Sequence, residues 1–423
     1  MFSILKNEAE LIMINTKYQP SFKSKVIIDV GGSVKENSCK INILSNDGKD
    51  SYIKDKTVVN TQGKSFYENN EGFLQKIAVR IKEAFEKIDW SSLKPEEKKI
   101  KEVLLFMPGN VYDGELIYAD NIRGKNSYGL ESVNFKTIPE HLKELGLPAD
   151  KKTEIKLLQD TLGGGMSVAK MLYAKGLLEE GSHYTVAVTG GGCGIVNIKR
   201  FSGEKAILDV SGSSYFTNEN GILKISGAGA SASAFIRNFC KSMQIDKRLV
   251  EEIAACGYCP MVMSSEFELG DDAKGKTLKN VLLNKTNMYE IGENGCIKVK
   301  DEYLNKRKYA MNVAIDKYAD ALARFAVIKE NECANGLIIT GALGLAIDRA
   351  CRQNGTSLSG IIENKINETY NTYEIEKIKD RHNFRVICNS DFALNDNTEA
   401  KDIALNARFV GKNRYNWVEI DLK

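Results

Sequence analysis

Three glycine-rich segments in this sequence follow short apolar runs, a placement that suits phosphate binding. They are Asp29-Val-Gly-Gly-Ser33, Thr189-Gly-Gly-Gly-Cys-Gly194 and Thr340-Gly-Ala-Leu-Gly344. Glycine permits positive φ and leaves backbone N–H groups unshielded, so successive glycines can form a concave anion site. One such pair is often only a tight turn, but three together favour a nucleotide site. It is not a Walker site, because no Gly-x-x-x-x-Gly-Lys-Ser/Thr occurs.

Asp160 is the candidate for acid–base chemistry. It follows the segment IKLLQ and precedes a helical pattern over about 161–176. A carboxylate within hydrogen-bond reach of a hydroxyl can take its proton as a general base, an effect worth about 10²- to 10⁴-fold. Aspartate is also a favoured helix N-cap, so a purely structural role for Asp160 stays open at this point.

Asp29 is a second carboxylate that is a candidate for a chemical role, because it ends the first apolar run. Mg²⁺ binds through one or two carboxylates, keeps several of its waters and accompanies triphosphates in phosphoryl transfer. We therefore expect Asp29 to hold Mg²⁺ through water.

The nine cysteines are spread along the chain, which fits reduced, mostly buried thiols better than a disulfide framework. Cys256 and Cys259 form the one Cys-x-x-Cys pair, and none of the three histidines is near them in sequence. A closed zinc site needs four ligands, so no zinc is expected. With no signal-peptide pattern at the N-terminus, the sequence predicts a cytoplasmic protein.

The elements that must position these residues follow from hydrophobic periodicity. The runs KVII, EVLLFM, YTVAV and GLIIT predict buried strands, and residues 25–60 predict a three-stranded antiparallel meander with a turn at 46–48. Helices are predicted at about 73–88, 138–145, 161–176 and 309–328, and the region 230–330 is mainly helical. The β-β-β-α-β order that opens the chain recurs after 184, which indicates two related α/β lobes.

Length and composition limit the possible functions. At about 150 residues per domain, 423 residues correspond to two or three domains with a substantial core. A net charge of +3 is too small for the cationic field on which non-specific nucleic-acid binding depends. No apolar run reaches the length of about 18 residues that a membrane span needs. The predicted partner is a small molecule, with neither nucleic acid nor membrane.

Taken in order, these motifs resemble those of the sugar kinase, actin and Hsp70 superfamily, and within it the ROK family and its bacterial glucokinase relatives. DVGGS (29–33) resembles the first phosphate motif, VAVTGGGCGIV (186–196) the second, and LIITGALGLA (337–346) the adenosine motif. LLQDTLGGGMSVAKMLYAKG (157–176) resembles the family's Asn-Asp-Ala-Asn-Ala-Ala-Ala helix, and LLFMPGNVYDGELIYADNI (104–122) its Pro-Gly turn and Asn-containing loop.

The resemblance implies two ribonuclease-H-like lobes, as in the actin-like ATPases, with a cleft between them. The first lobe would comprise about 20–150, with 401–423 returning to it, and the second 151–400, with a helical insertion at about 230–330. The implied activity is ATP- and Mg²⁺-dependent phosphorylation of a hydroxyl of a hexose or hexose derivative, by a homodimer.

The resemblance also implies roles for individual residues. Nucleotide contacts are implied for Asp29, Gly31, Gly32, Ser33, Thr189, Gly190, Gly191, Gly192, Gly341, Ala342 and Leu343. Substrate contacts are implied for Pro108, Gly109, Asn121, Gln159 and Asp160, with Asp160 as the catalytic base.

The sequence departs from the family at several positions. The zinc-binding Cys cluster is missing, and ISGAGASASAFIRNF (225–239) resembles the Ser-Gly-Pro-Gly-Leu segment of the zinc-free glucokinase branch, which is therefore the closer fit. Gln159 replaces the usual Asn, and Ile222 or a neighbour replaces a sugar-binding Glu. Since such buried polar partners decide which hydroxyl compound binds, glucose is not singled out as the acceptor.

Two alternatives remain. The same fold serves as a non-catalytic nucleotide- or sugar-sensing module, and Gly163–Gly165 within the predicted helix of Asp160 are unusual enough to allow it. Gly227-Ala-Gly-Ala-Ser-Ala232 satisfies the loose dinucleotide fingerprint of NAD-dependent dehydrogenases, although no strand with an acidic end follows it.

Overall fold

A computed structural model describes most of the chain. The residues that it describes are 23–29, 38–44, 57–59, 70–88, 99–107, 109–112, 115–123, 129–210, 215–218, 221–224, 227–256, 260–270, 273–331, 335–373, 384–388, 409–414 and 417–422. The elements before residue 160 are β1 (Lys23–Asp29), β2 (Ser38–Leu44), β3 (Thr57–Val59), α1 (Asn70–Phe85), β4 (Lys99–Met107), β5 (Asn110–Tyr112), β6 (Glu115–Arg123), β7 (Gly129–Asn134), α2 (Ile138–Glu144) and β8 (Glu154–Gln159).

Five of these strands form the first sheet, in the order β3-β2-β1-β4-β8. β2 is antiparallel to β1 and β3, whereas β4 is parallel to both β1 and β8. The predicted meander is therefore confirmed, although its turn at 46–48 lies outside the described residues. Because β1, β4 and β8 are parallel, their carboxyl ends meet at one edge of the sheet.

Helix α1 packs on one face of this sheet. Phe73, Ile77, Ile81 and Ala84 are fully buried and recur at helical spacing, so they form the apolar stripe that the sequence predicts. The helix begins and ends about three residues earlier than predicted. Strands β5, β6 and β7 form a separate antiparallel sheet that follows the carboxyl end of β4.

The remaining elements follow Gln159. They are α3 (Asp160–Ala174), β9 (His183–Thr189), β10 (Cys193–Lys199), β11 (Lys205–Val210), β12 (Tyr215–Asn218), β13 (Gly221–Lys224), α4 (Ala232–Ser242), α5 (Lys247–Cys256), α6 (Pro260–Met263), β14 (Glu266–Phe267), α7 (Ala273–Asn280), β15 (Tyr289–Ile291), β16 (Ile297–Val299), α8 (Leu304–Asn331), β17 (Gly336–Thr340), α9 (Ala342–Gln353), α10 (Leu358–Thr372), β18 (Arg385–Cys388), β19 (Phe409–Arg414) and β20 (Trp417–Asp421).

The second sheet repeats the topology of the first. Its order is β18-β17-β9-β10-β11-β20-β19, with β10 antiparallel to β9 and β11, and β17 parallel to β9 and β18. In chain order, direction and neighbours, the second sheet thus matches the first, with β9, β10, β11, β17 and β18 corresponding to β1, β2, β3, β4 and β8. This duplication confirms the two related α/β units that the recurring sequence pattern predicts.

The C-terminal strands extend the second sheet. β20 pairs antiparallel with β11, and Val418 and Ile420 are fully buried. This corrects the expectation that 401–423 returns to the first lobe. The physical reason is that β11 would otherwise be an open edge, and the backbone of β20 pairs with it. The alternating residues Val418, Ile420 and Leu422 at the same time give this segment one apolar face, which is buried in the core.

The region after β13 is mainly helical, as predicted, and α8 is its longest helix with 28 residues. Three short strands, β14 to β16, form a small sheet within it that the sequence does not predict. Strands of two or three residues are too short to show alternation. Within the described part of the chain, no helix combines the length and the apolar character needed to cross a membrane.

Candidate active site

Asp160 is the first residue of α3, directly after β8. The N-cap position belongs to Gln159, which is extended with φ −66° and ψ 140° and makes no side-chain capping bond. The carboxylate of Asp160 instead belongs to the first helical turn, where the helix dipole favours a negative charge. The N-cap interpretation of Asp160 is therefore wrong, and α3 begins one residue earlier than predicted.

Gly163–Gly165 lie inside α3 and are all buried. A Cβ atom built on Gly163 would lie 3.0 Å from the ring of Phe106 in β4. Glycine costs about 1 kcal/mol relative to alanine in a helix interior, so some contact must require it. At Gly163 that contact is with the first sheet.

The other two glycines of α3 contact the second sheet. A Cβ on Gly164 would lie 2.8 Å from Val188 Cγ2 in β9, and one on Gly165 would lie 2.6 Å from Val196 Cγ1 in β10. Successive residues of a helix point about 100° apart, so three consecutive glycines can face both sheets. They let the backbone of α3 pack directly between the first and second sheets.

Thr161 connects the candidate base with the second glycine segment. Its hydroxyl donates to Asp160 Oδ1 at 3.4 Å. A Cβ on Gly194 would lie 2.1 Å from Thr161 Oγ1 and 2.6 Å from its Cγ2, so glycine at 194 leaves the room that Thr161 fills. Asp160, which follows the first sheet, is thus one residue from direct contact with β10 of the second.

The turn between β9 and β10 consists of Gly190, Gly191 and Gly192. The Gly190 N–H donates to the Gly192 carbonyl at 2.8 Å, which closes the turn. A Cβ on any of the three would have no described heavy atom within 4 Å, and none of them has φ in the left-handed region. Of the two properties of glycine that predict an anion site here, positive φ is therefore not used, whereas the unshielded backbone is present. They instead expose a backbone surface that another molecule can approach closely.

Thr189, before that turn, is fully buried and its hydroxyl makes three hydrogen bonds. Thr189 Oγ1 donates to the Thr340 carbonyl at 3.0 Å. It accepts from Tyr318 Oη at 3.0 Å and from the Gly344 N–H at 2.9 Å. The second and third glycine segments are therefore held together by one side chain.

The third glycine segment starts α9. Gly341 is the N-cap with φ 91°, and a Cβ there would lie 2.2 Å from the Thr189 carbonyl oxygen. Both the backbone conformation and the close approach thus require glycine. Ala342 and Leu343 are the first two residues of the helix, and the N-cap supplies no side-chain bond to its first turn. Thr340 Oγ1 beside them is buried and has no partner among the described residues.

Three of the candidate substrate residues, Gly109, Gln159 and Asp160, lie at the carboxyl edge of the first sheet, where β4 and β8 end. Gln159 is in register with Met107 of β4, and its Oε1 is buried with no partner in the described part of the chain. Gly109 has φ 107°, which favours glycine at this turn. The backbone of Asn121 belongs to β6, and Pro108 lies outside the described residues.

The first glycine segment is described only up to its aspartate. The backbone of Asp29 ends β1 and is in register with Phe106 of β4. Gly31, Gly32 and Ser33 lie outside the described residues. Asp29 and Gln159 thus end parallel strands at the same edge of the first sheet.

The thiols near these segments are not activated. Burial raises the pKa of Cys193, which follows the glycine turn, to about 12, so it is protonated at neutral pH. Cys256 is a buried thiol that donates to the Glu252 carbonyl at 3.3 Å, and Cys259 lies outside the described residues. Among the residues that the structure describes, no group of three or more His, Cys, Asp or Glu could hold a metal ion.

The dinucleotide-fingerprint segment does not belong to a βαβ unit. β13 before it pairs antiparallel with β12 in a two-stranded sheet, and Gly227–Ala230 form a 3₁₀-helix. A Cβ on Gly229 would lie 3.0 Å from Ala321 of α8, so this glycine serves helix packing. The fingerprint requires a parallel strand that leads into the helix, which excludes the dehydrogenase alternative at this segment.

Sequence reasoning missed two polar residues of the site. Thr161 gave no signal, because its partner Gly194 is distant in sequence. Tyr318 lies in the helix predicted at about 309–328, and nothing local gives its hydroxyl a role, although a buried tyrosine hydroxyl usually finds a hydrogen-bond partner.

Comparison with known proteins gives a result at the level of structure. No protein-family model matches the sequence, and no curated protein matches it. Among solved structures, the chain is similar to the glucokinase of Balamuthia mandrillaris in complex with glucose, at 11% identity and a TM-score of 0.51, over 91% of this chain and 92% of that one.

Two further structures are similar over most of the chain. The hexokinase of Schistosoma mansoni with glucose has 12% identity and a TM-score of 0.49, over 91% of this chain and 85% of that one. The ROK family glucokinase of Streptomyces griseus with glucose and AMPPNP has 13% identity and a TM-score of 0.46, over 90% and 98%.

The strand order and the Balamuthia glucokinase structure agree on the fold. The protein is an α/β protein with the actin-like fold of the Balamuthia glucokinase, built on two ribonuclease-H-like sheets. The resemblance inferred from the sequence motifs is thus confirmed at the level of the fold.

Proposed function

We propose that the protein is an ATP-dependent kinase that phosphorylates a hydroxyl of a hexose or hexose derivative. The observation that carries this proposal is the contact of Thr161 with Gly194. It brings Asp160, the one carboxylate in the first turn of α3, next to the strand that leaves the open glycine turn. A base and a phosphate-binding turn have to be neighbours in any phosphoryl transfer to an alcohol.

The nucleotide phosphates would lie against Gly190, Gly191 and Gly192. These glycines have no side chains to fill the space over the turn, so an anion can approach the backbone there. The start of α9 at Ala342 and Leu343 adds the positive end of a helix dipole, and the buried Thr340 hydroxyl supplies a polar group without a described protein partner. Gly341 and Thr189 hold this second surface in place.

Mg²⁺ would be held, through water, by Asp29. The donor set fits that ion, because one carboxylate at a strand end leaves coordination positions for water and phosphate oxygens. Bound Mg²⁺ would neutralise charge on the phosphates. Gly31, Gly32 and Ser33 would complete the site from the first lobe.

Asp160 would act as general base. Its carboxylate would accept the proton of the attacking hydroxyl, with the Thr161 hydroxyl bonded to Oδ1. Gln159 Oε1, which has no partner among the described residues, would accept a hydrogen bond from a second hydroxyl of the acceptor and so orient the acceptor. Gly109, Asn121 and Pro108 would line the acceptor side.

The test has two stages. Calorimetry and thermal-shift measurements with Mg²⁺-ATP and ADP should show binding, and ligand at 100 times Kd should add about 2.7 kcal/mol of stability. ADP release should then be screened across hexoses, amino sugars and acylated amino sugars. Binding without turnover on any sugar would indicate a sensing module instead of a kinase, and absence of binding would overturn the proposal.

A further inference from the structure

The hydroxyl of Tyr318 lies in the apolar core beneath the two glycine segments of the second sheet. Tyr318 lies in α8 and is 1% exposed, and its ring packs edge-on against Phe235 of α4 with 6.3 Å between centroids. Its hydroxyl donates to Thr189 Oγ1 at 3.0 Å. A buried tyrosine hydroxyl with one well-placed acceptor holds that acceptor in one orientation.

The bond from Tyr318 completes the hydrogen bonding of Thr189. A threonine hydroxyl has one proton to donate and two lone pairs. The proton goes to the Thr340 carbonyl, and the lone pairs accept from Tyr318 and from the Gly344 N–H. The hydroxyl therefore has no capacity left for a ligand, so any role of Thr189 in the site is to hold other groups.

The surrounding glycines show how tightly these groups fit. A Cβ on Gly344 would lie 2.9 Å from Thr189 Oγ1 and 3.3 Å from Tyr318 Oη. A Cβ on Gly341 would lie closer still, 2.2 Å from the Thr189 carbonyl oxygen. The start of α9 thus rests directly on Thr189, at the point where the turn Gly190–Gly192 begins.

We propose that Tyr318 is a positioning residue for nucleotide binding, which acts through Thr189. Its hydroxyl fixes the carboxyl ends of β9 and β17 and the first turn of α9 relative to one another, so that both glycine segments face the same phosphates. The helical region thereby helps to set the geometry of the glycine turn, which it also contacts directly, because the Ala232 N–H at the start of α4 donates to the Gly190 carbonyl at 2.9 Å. This inference rests on the proposed nucleotide-binding function.

The variant Tyr318→Phe keeps the ring and removes the hydroxyl. We expect the Kd and the KM for Mg²⁺-ATP to rise about 3- to 10-fold, the range that corresponds to one lost hydrogen bond, while kcat at saturating nucleotide changes less. Thr189→Val removes the same bond from its other end, and the double variant should be no worse than Thr189→Val alone. Thr189→Ser keeps the hydroxyl and should restore binding to near the wild-type value.

Tyr289→Phe is the matched control. Tyr289 is also buried in the helical region, and its hydroxyl has no partner among the described residues. The Tyr289→Phe substitution should leave nucleotide affinity unchanged. All affinities are measured well below each variant's melting temperature, so that loss of stability alone does not change them.

The outcomes separate the two proposals. If the wild type binds no nucleotide, the proposed function fails and this inference fails with it. If the wild type binds and both Tyr318→Phe and Thr189→Val bind equally well, only the positioning role is overturned. Should Tyr318→Phe not fold, Thr189→Val and Thr189→Ser decide the question.

Discussion

Thr161 fills the space that any side chain at position 194 would need. The gap between Thr161 Oγ1 and a Cβ on Gly194 would be 2.1 Å, well inside van der Waals contact. These two residues belong to different elements, because Thr161 is in the first turn of α3 and Gly194 is the second residue of β10 in the second sheet. The distance between the candidate base and the glycine turn is therefore set by the contact of the Thr161 side chain with the backbone of Gly194.

Gly194→Ala should destabilise the protein by about 1–3 kcal/mol, the usual cost of overpacking a close contact. Denaturant unfolding measures the change. Thr161→Ala removes the two nearest atoms, so the double variant Gly194→Ala/Thr161→Ala should recover part of the loss. Strict additivity of the two single changes would contradict a direct contact.

Gly191→Ala should affect ligand binding and not the fold. Its Cβ would enter open space, so thermal stability should stay within about 0.5 kcal/mol of wild type. Nucleotide affinity should fall, because the methyl group occupies the surface that the phosphates would approach. Gly292→Ala in the helical region, where the nearest atom to a Cβ is 3.4 Å away, is the control and should change neither property. Unchanged affinity in Gly191→Ala would remove this turn from the nucleotide site.

Gly165→Ala should lower stability although alanine is the better helix former. Its Cβ would lie 2.6 Å from Val196 Cγ1, and overpacking of about 1–3 kcal/mol outweighs the gain in propensity of about 1 kcal/mol. Val196→Ala in the same chain removes the clashing methyl groups, so the double variant should be more stable than the sum of the single changes predicts. A stabilised Gly165→Ala variant would show that α3 does not pack as described.

Asp160→Asn should reduce phosphoryl transfer by about 10²-fold or more on whichever sugar is turned over, because it removes the proton acceptor and keeps the size. Nucleotide affinity and thermal stability should stay close to wild type. Asp246→Asn is a matched control, since Asp246 immediately precedes α5 and accepts a hydrogen bond from the Arg248 N–H at 2.9 Å. Full turnover in Asp160→Asn would exclude Asp160 as the base.

His183 should make the protein less stable below neutral pH. Burial, reinforced by the positive charge of Lys199, lowers the pKa of His183 below its usual value of 6.5. Between the lowered value and 6.5 the unfolded chain binds more protons than the folded one, so stability falls as the pH drops through this window. An NMR titration of the imidazole measures the pKa directly, and a value at or above 6.5 would contradict the expectation. His183→Gln should flatten the pH dependence of the melting temperature.

Local patterns in the sequence were sufficient for the strands and helices that position the site. The apolar runs before Asp29, Thr189 and Gly341 predict the three strands, and the repeated β-β-β-α-β order predicts two similar sheets. The placement of β20 could not be predicted, because an alternating strand near the end of a chain can cover any open edge. Its partner is decided by which edge is available.

Contacts distant in sequence account for the other omissions. Tyr318 and Thr189 are 129 positions apart, and nothing local to either one indicates the other. The glycines of α3 are unusual for a helix interior, but nothing local shows that their partners lie on strands of both sheets. A sequence can show that a residue such as Gly165 needs space without showing which residue is close to it.

The glycine face of α3 has a mechanical consequence. Most interfaces between sheets and helices contain a layer of side chains that can change rotamer and so absorb a small displacement. Here the backbone of α3 at its three glycines packs directly against Phe106, Val188 and Val196. Close-packed protein interiors have low compressibility and transmit strain. A shift of either sheet relative to the other is therefore passed to the helix as a whole, including its first residue. Asp160 is the first residue of this helix, so a change in the angle between the two sheets would change the direction in which its carboxylate points.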